Sequence, residues 1–336
     1  YSGSMRYRTN YPALIGLCLF AIIALQLFLG PETSLGPKTG IYAQGSGLKK
    51  TLSTRLQDIV TKDPVKAFPL TLIALLYLAI CAAGLGIALV WVVIRKDTRL
   101  PAQESEIAFP LDGEKTAGLL FRIIAAVFSA YILQLMVFYW WPAHKAGLKI
   151  YLLINGSLEI AMAGLIILAL PRYFFAAILK TRQVLTSLAA YCAMLPAVMV
   201  FGLLNELLVE KLGLPSGANP AIGLTLMLKP GGTLFILLLQ VALIGPVAEE
   251  LLFRGVIFKA LKNRLSFAWA AGLSSLLFAC LHGSFNDLLP IFAVGMFLAW
   301  IYQKTQNITA PIAAHCLFNS LNILALLAVK SALNLG

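Results

Sequence analysis

Apolar runs of about twenty residues, each long enough to cross a hydrocarbon core as a helix, recur along the chain between Tyr11 and Val329. They decide the fold class before any motif is considered, because a segment in lipid must satisfy its own backbone hydrogen bonds, as a helix does. Of the 336 residues, 60% are hydrophobic and only 12% charged. Mean hydropathy is +0.87, far outside the range of a water-soluble globular chain. The sequence predicts an all-α, polytopic transmembrane helical bundle of eight or nine spans. A formal net charge of +12 raises nucleic acid as a partner. The basic residues, however, lie mainly between apolar runs, where they set topology and meet anionic headgroups. No basic-aromatic patch accompanies them. The expected partner is the lipid bilayer, not nucleic acid. The five cysteines, Cys18, Cys81, Cys192, Cys280 and Cys316, all fall in apolar runs without Cys-x-x-Cys spacing. They read as small buried hydrophobes, not as a disulfide framework or zinc cluster.

Residues 1–4, ahead of Met5, read as an expression scar, and no cleavable signal is evident. Residues 5–182 form an N-terminal transmembrane region. Its basic start, Met5-Arg6-Tyr7-Arg8, is placed in the cytoplasm, and Tyr11–Gly30 is the first span. The polar, Gly/Pro-rich stretch 31–69 is placed outside despite its six Lys/Arg, and includes an amphipathic piece from Leu48 to Val60. Span two (Leu70–Ile94) stops at Arg95-Lys96-Asp97-Thr98-Arg99, a cytoplasmic marker that leads into a polar linker to Thr116. Span three (Gly118–Trp141) ends in the aromatic belt Tyr139-Trp140-Trp141-Pro142, and Arg122 just inside it can snorkel. Span four (Ile150–Leu170) returns to Arg172, Lys180 and Arg182.

Residues 183–330 form the core. Span five covers Val184–Leu204, and an outer loop runs from Asn205 to Gly232 with Glu206 and Glu210 as solvated acids. Span six starts at Thr233 and leaves the membrane on the cytoplasmic side at Lys259, Lys262 and Arg264. Spans seven (Phe267–Leu281), eight (Leu288–Gln303) and nine (Thr309–Val329) follow. No P-loop, GxGxxG or HExxH occurs. Asn307-Ile308-Thr309 matches a glycosylation sequon but is placed facing the cytoplasm.

Within span six, Gly245-Pro246-Val247-Ala248-Glu249-Glu250-Leu251-Leu252-Phe253-Arg254 places two carboxylates and a guanidinium at membrane depth. Each costs roughly 2.5–3.5 kcal/mol to insert. An ion pair near a membrane surface explains one acid and one base, but not two adjacent acids. Glu250 and Arg254 are i,i+4 partners on one face, while Glu249 is turned about 100° away. Arg254 can neutralise Glu250 and leave Glu249 free.

The chain holds three histidines. His144 sits in a short outer loop beside Lys145 and reads as interfacial. His282 ends one apolar helix, and His315 lies in another with Asn319 on the same face. Spans six and seven should form a hairpin turning near Leu265, which sets Glu249 and His282 at one level, roughly 10–15 Å below the cytoplasmic face. His315 reaches about the same layer from the turn between spans eight and nine. For this the chain after His282 must turn back within the membrane, and Gly283–Asp287 can do so only where it lines a wet cavity. A carboxylate, an imidazole and an amide donor around water are the parts of a hydrolase: the base takes a proton from water and donors hold the oxyanion.

The ordered set Glu-Glu-x-x-x-Arg (249–254), Phe-x-x-x-His (278–282) and His-x-x-x-Asn (315–319) resembles the CPBP family of intramembrane proteases, also called type II CAAX prenyl endopeptidases or the Abi family. The resemblance covers about Ala242 to Leu324. It implies that Glu249 is the general base assisted by His282, that Glu250 and Arg254 support the site, and that His315 and Asn319 form an oxyanion hole. It also implies a membrane-associated protein or peptide as substrate, with prenylated CAAX ends as one class and other substrates in many prokaryotic relatives. Glu249, His282 and His315 are also residue types that ligate zinc, so spacing leaves a metal-assisted peptidase open. Two further readings stand beside the hydrolase: a non-catalytic bacteriocin-immunity or scaffold membrane protein, and a proton-coupled transporter. The expected enzyme is a multi-pass membrane protein with a cytoplasmic N-terminus and a site opening to the cytoplasmic side.

Overall fold

The computed structural model describes residues 64–93, 113–140, 145–170, 181–214, 220–282 and 284–333, with a few isolated positions before 64. The expected first span, most of the loop 31–69, the Arg95–Arg99 marker, the linker after it as far as residue 112, Trp141 to His144, Arg172, Lys180 and Gly283 lie outside the described residues. Every regular element among those described is helical. We number them α1 (Pro64–Val93), α2 (Gly113–Trp140), α3 (Lys145–Ala169), α4 (Thr181–Lys211) and α5 (Pro220–Met227). A continuous 31-residue helix, α6 (Gly232–Lys262), follows, then α7 (Phe267–Leu281), α8 (Leu288–Thr305) and α9 (Thr309–Ala332).

Among the described residues six helices are long and apolar enough to cross a membrane, and α7 is a shorter apolar helix. Their outer faces carry large exposed apolar side chains, among them Leu168 (86%), Phe235 (65%) and Trp269 (67%). That surface would be untenable in water and matches lipid. The total of eight or nine spans also counts Tyr11–Gly30 and so rests on the sequence.

Three boundaries differ from expectation. α1 is helical from Pro64, with Thr61 and Lys62 before it also helical, inside the stretch expected to be loop. α4 runs to Lys211, not to Leu204. Asn205 looked like the end of a span but is 3% exposed, its amide fully engaged across the bundle. Within the expected outer loop lies α5, tied to the last helix by Lys330, whose Nζ donates to the carbonyls of Thr225 (3.0 Å) and Leu228.

The core sits around α6 and α8. One cluster joins α2, α3, α6, α7 and α8 through Leu119, Ile166, Val256, Phe278 and Tyr302. A second joins α1, α4, α8 and α9 through Cys81, Met194, Leu298 and Ala314. Small residues let the helices close up. A Cβ on Gly295 of α8 would sit 2.8 Å from the Cβ of Ser275 on α7, so this α7–α8 contact requires glycine. The turn after α8 reverses through Gln306 in the left-handed region (φ 49°). Lys259 of α6 donates to the Gln306 side chain (3.1 Å), and Asn307 Oδ1 accepts from the Thr309 backbone N–H (3.0 Å), capping α9. Asn307 is 3% exposed, too buried to accept a sugar.

Candidate active site

The local form of α6 explains how it presents the acids. It passes through two π-helical segments, Gln240–Ile244 and Leu251–Phe258, with one α-helical stretch between them, Gly245–Glu250. Such segments widen the helix and rotate the following face, and they recur at functional sites. Pro246 causes part of the disturbance. In the π register the Gly245 N–H bonds the Gln240 carbonyl, five residues back. The next such bond would join residue 246 to the Val241 carbonyl, but proline has no N–H to give. That carbonyl is taken by Asn319 Nδ2 of α9 at 2.8 Å.

Glu250 and Arg254 are both fully buried, and Arg254 Nη1 donates to Glu250 Oε1 at 2.9 Å, the i,i+4 pairing read from the sequence. Arg254 Nη2 donates to the Gly295 carbonyl at 2.9 Å, which fixes α6 to α8. Its guanidinium carbon lies 4.8 Å from the Phe278 ring centre. The same Glu250 oxygen stands 2.9 Å from His315 Nδ1. A ring nitrogen held by a carboxylate fixes the orientation of the other nitrogen. Here Nε2 faces Glu249, whose Oε2 lies 3.8 Å away. The Glu249 side chain is 31% exposed against 4% for His315. The two acids therefore diverge: Glu250 turns into the protein against a cation and an imidazole, and Glu249 reaches an accessible space.

His282 ends α7, with Nδ1 2.8 Å from the Phe278 carbonyl. Its ring packs edge-on against Phe278 (4.8 Å between centres), and Phe278 meets His315 in the same way (5.7 Å). Phe278 thus holds both imidazoles and caps the guanidinium. α7 is only 15 residues long, about 22 Å against a core of about 30 Å, so the turn after His282 falls within the membrane thickness. What supports that turn is the Asn205 side chain. Its Nδ2 donates to the carbonyls of Phe285 (2.9 Å) and Asn286 (2.7 Å), and its Oδ1 accepts from the Leu289 N–H (3.1 Å).

Among the described residues no three His, Cys, Asp or Glu side chains stand close enough together to hold a metal ion. Glu250 and one nitrogen of His315 are already committed to each other. Among the described residues Glu249, His282 and His315 do not gather into a three-ligand metal site.

Sequence reasoning missed three contributors. The sequence shows Phe278 only as a letter of a motif and Asn205 as the first residue of an expected loop. Glu159 of α3 is a carboxyl in an apolar span and carried the same signal as Glu249, an ionisable group at membrane depth. A Cβ on Gly245 would lie 3.7 Å from Glu249 Oε1 and 3.8 Å from Glu159 Oε1, so the two acids flank that glycine.

Residues 231–321 match the model of a family described as type II CAAX prenyl endopeptidase Rce1-like. Three curated proteins are similar to the same part of the chain. YdiL of Bacillus subtilis is 34% identical over 85 residues, 25% of this chain and 35% of that protein. The membrane-embedded CAAX protease MroQ of Staphylococcus aureus is 36% identical over 90 residues, 25% and 36% of the two chains. The UPF0177 protein YxdF of Lactococcus lactis is 34% identical over 90 residues, 26% and 47%. The chain thus spans less than half the length of each of these relatives. No solved structure matches it.

Proposed function

Because residues 231–321 belong to the CPBP family of intramembrane proteases, in its Rce1-like branch, we propose that this protein is an intramembrane endopeptidase that hydrolyses peptide bonds with a water activated by Glu249. The observation that carries this reading is the 3.8 Å between Glu249 Oε2 and His315 Nε2. It is too long for a direct hydrogen bond, but a water at about 2.8 Å from each would bridge the pair.

Glu249 takes the proton of that water as its oxygen attacks the scissile carbonyl. His282, at the end of α7, assists by positioning the same water. His315, oriented through Glu250, and the amide of Asn319 one turn further along α9 hold the negative oxygen of the tetrahedral intermediate. The proton on Glu249 then passes to the amide nitrogen as the C–N bond breaks, giving one carboxyl and one amine product. Glu250 and Arg254 keep His315 in place. Asn319 has a second amide hydrogen for this role, since its bond to Val241 uses one. The substrate is the C-terminal part of a membrane-tethered protein or peptide, which the bilayer concentrates near a site at this depth. CAAX-type ends are one class that fits. The site opens to the cytoplasm, the side on which Lys262 and Arg264 lie.

The test compares membrane peptides released by the wild-type protein with those released by Glu249→Gln, using mass spectrometry on reconstituted vesicles. The variant keeps the size of the side chain and loses the base. Peptides present only with the wild type are expected, at equal thermal stability of the two proteins. An identical set from both would overturn the reading.

A further inference from the structure

Between α3 and α6 runs a groove of about 350 Å³ whose walls include Ile160, Ala163, Gly164, Leu243 and Val247. Ile160 and Leu243 are 59% and 50% exposed, so its mouth lies on the apolar surface that faces lipid. The polar lining residue is Glu159. Its Oε2 is buried and has no hydrogen-bond partner. Its Oε1 and Glu249 Oε1 both lie within 4 Å of the point a Cβ on Gly245 would occupy. A groove open to the bilayer therefore ends at an unsatisfied acceptor, one glycine away from the proposed base.

An unpaired polar atom at this depth is costly, and ionisable residues that persist there mark paths and sites. Asn205, a structural polar side chain, spends both amide hydrogens and its oxygen on the 285–289 turn, whereas Glu159 Oε2 has no partner. No three-ligand metal group includes it. Protonated or not, a carboxyl keeps an acceptor oxygen. The complementary ligand is an apolar chain that carries a hydrogen-bond donor. A lipid acyl chain has none. A peptide segment unwound for cleavage has backbone N–H groups that lipid cannot satisfy.

We propose that Glu159 is a substrate-binding residue: the apolar peptide segment lies in the α3–α6 groove and gives a backbone N–H to Glu159 Oε2, which sets the following residues beside Glu249. The proposal rests on the endopeptidase reading above. Gly164 offers an independent handle, because it lines the groove and an added Cβ there meets nothing within 4 Å.

The test measures binding apart from catalysis. The Glu249→Gln protein, in nanodiscs, is titrated with a fluorescent leucine-alanine peptide that ends in a short polar tail. Adding Glu159→Leu raises Kd about tenfold, the loss expected for a hydrogen bond to a carboxyl. Adding Glu159→Gln, which keeps an acceptor, stays within about threefold. Gly164→Leu weakens binding at least as much as Glu159→Leu, and all variants keep the parent's thermal unfolding midpoint. An unchanged Kd in Glu159→Leu overturns the proposal and leaves the groove to lipid. Equal losses in the Leu and Gln variants also overturn it, since they would assign the effect to charge. The endopeptidase reading is scored separately, by whether the protein with Glu249 intact cleaves the same peptide.

Discussion

Arg254 carries its charge fully buried, with Glu250 beneath it, the Gly295 carbonyl beside it and Phe278 over it. A buried ion pair adds little net stability, but removing one partner strands the other, at about 3–5 kcal/mol. Arg254→Leu should therefore lower stability by about that much, measured as unfolding in detergent. Glu250→Leu combined with Arg254→Leu should recover a large part of the loss, because no uncompensated charge remains. If the double variant is as unstable as the single one, the pair is not what holds Arg254 in place. The Glu250–Arg254 contact was legible in the sequence because spacing on a helix fixes which side chains share a face. That Glu250 also holds His315 was not legible. The two lie 65 positions apart, and no local rule links residues on separate helices.

The helices are joined where their own hydrogen bonding fails. Pro196 within α4 cannot bond the Cys192 carbonyl, and that oxygen lies against Gly84 of α1, where a Cβ would come within 1.9 Å of it. Pro246 frees the Val241 carbonyl for Asn319. The turn 284–287 leaves carbonyls and an N–H that Asn205 collects, so α8 is capped from α4, its own flanking Asp287 making no side-chain cap. The breaks were visible in the sequence as prolines and as a polar turn between apolar runs. Their partners were not, since each comes from a distant helix. Part of the support expected for the turn after His282 comes from the protein itself: a single amide satisfies three backbone groups of 285–289. Asn205→Leu strands all three, at about 1–3 kcal/mol each when buried. The expected result is a loss of at least about 3 kcal/mol, together with faster hydrogen exchange at 284–289. Asn205→Asp, which can still accept from Leu289, should lose less. Equal exchange in wild type and Asn205→Leu would show that the turn is held by something else.

At the scale of the molecule, orientation follows from where the charges end. Beyond the α6–α7 and α8–α9 turns lie Lys259, Lys262, Arg264 and Lys304, joined by Arg182 at the start of α4. The opposite ends carry Lys145, Lys149, Lys211, Lys229 and Lys330, together with Glu206 and Glu210. Lys330, bonded to α5 carbonyls, and Lys259, bonded to Gln306, are both buried and drop out of the count. We propose that the α6–α7 turn is cytoplasmic, the orientation that keeps its clustered Lys262 and Arg264 inside. The acids of α6 then lie nearer that face: Glu250 is twelve residues before Lys262 and eighteen after Gly232, a difference of about 9 Å along the helix. Cysteines introduced at the two ends test this directly, in a background where Cys18, Cys81, Cys192, Cys280 and Cys316 are replaced by alanine or serine. In right-side-out vesicles a membrane-impermeant maleimide should label Leu212→Cys at once and Arg264→Cys only after permeabilisation. The reverse pattern would place Glu249 closer to the outer face, and substrates would then have to reach it from outside the cell.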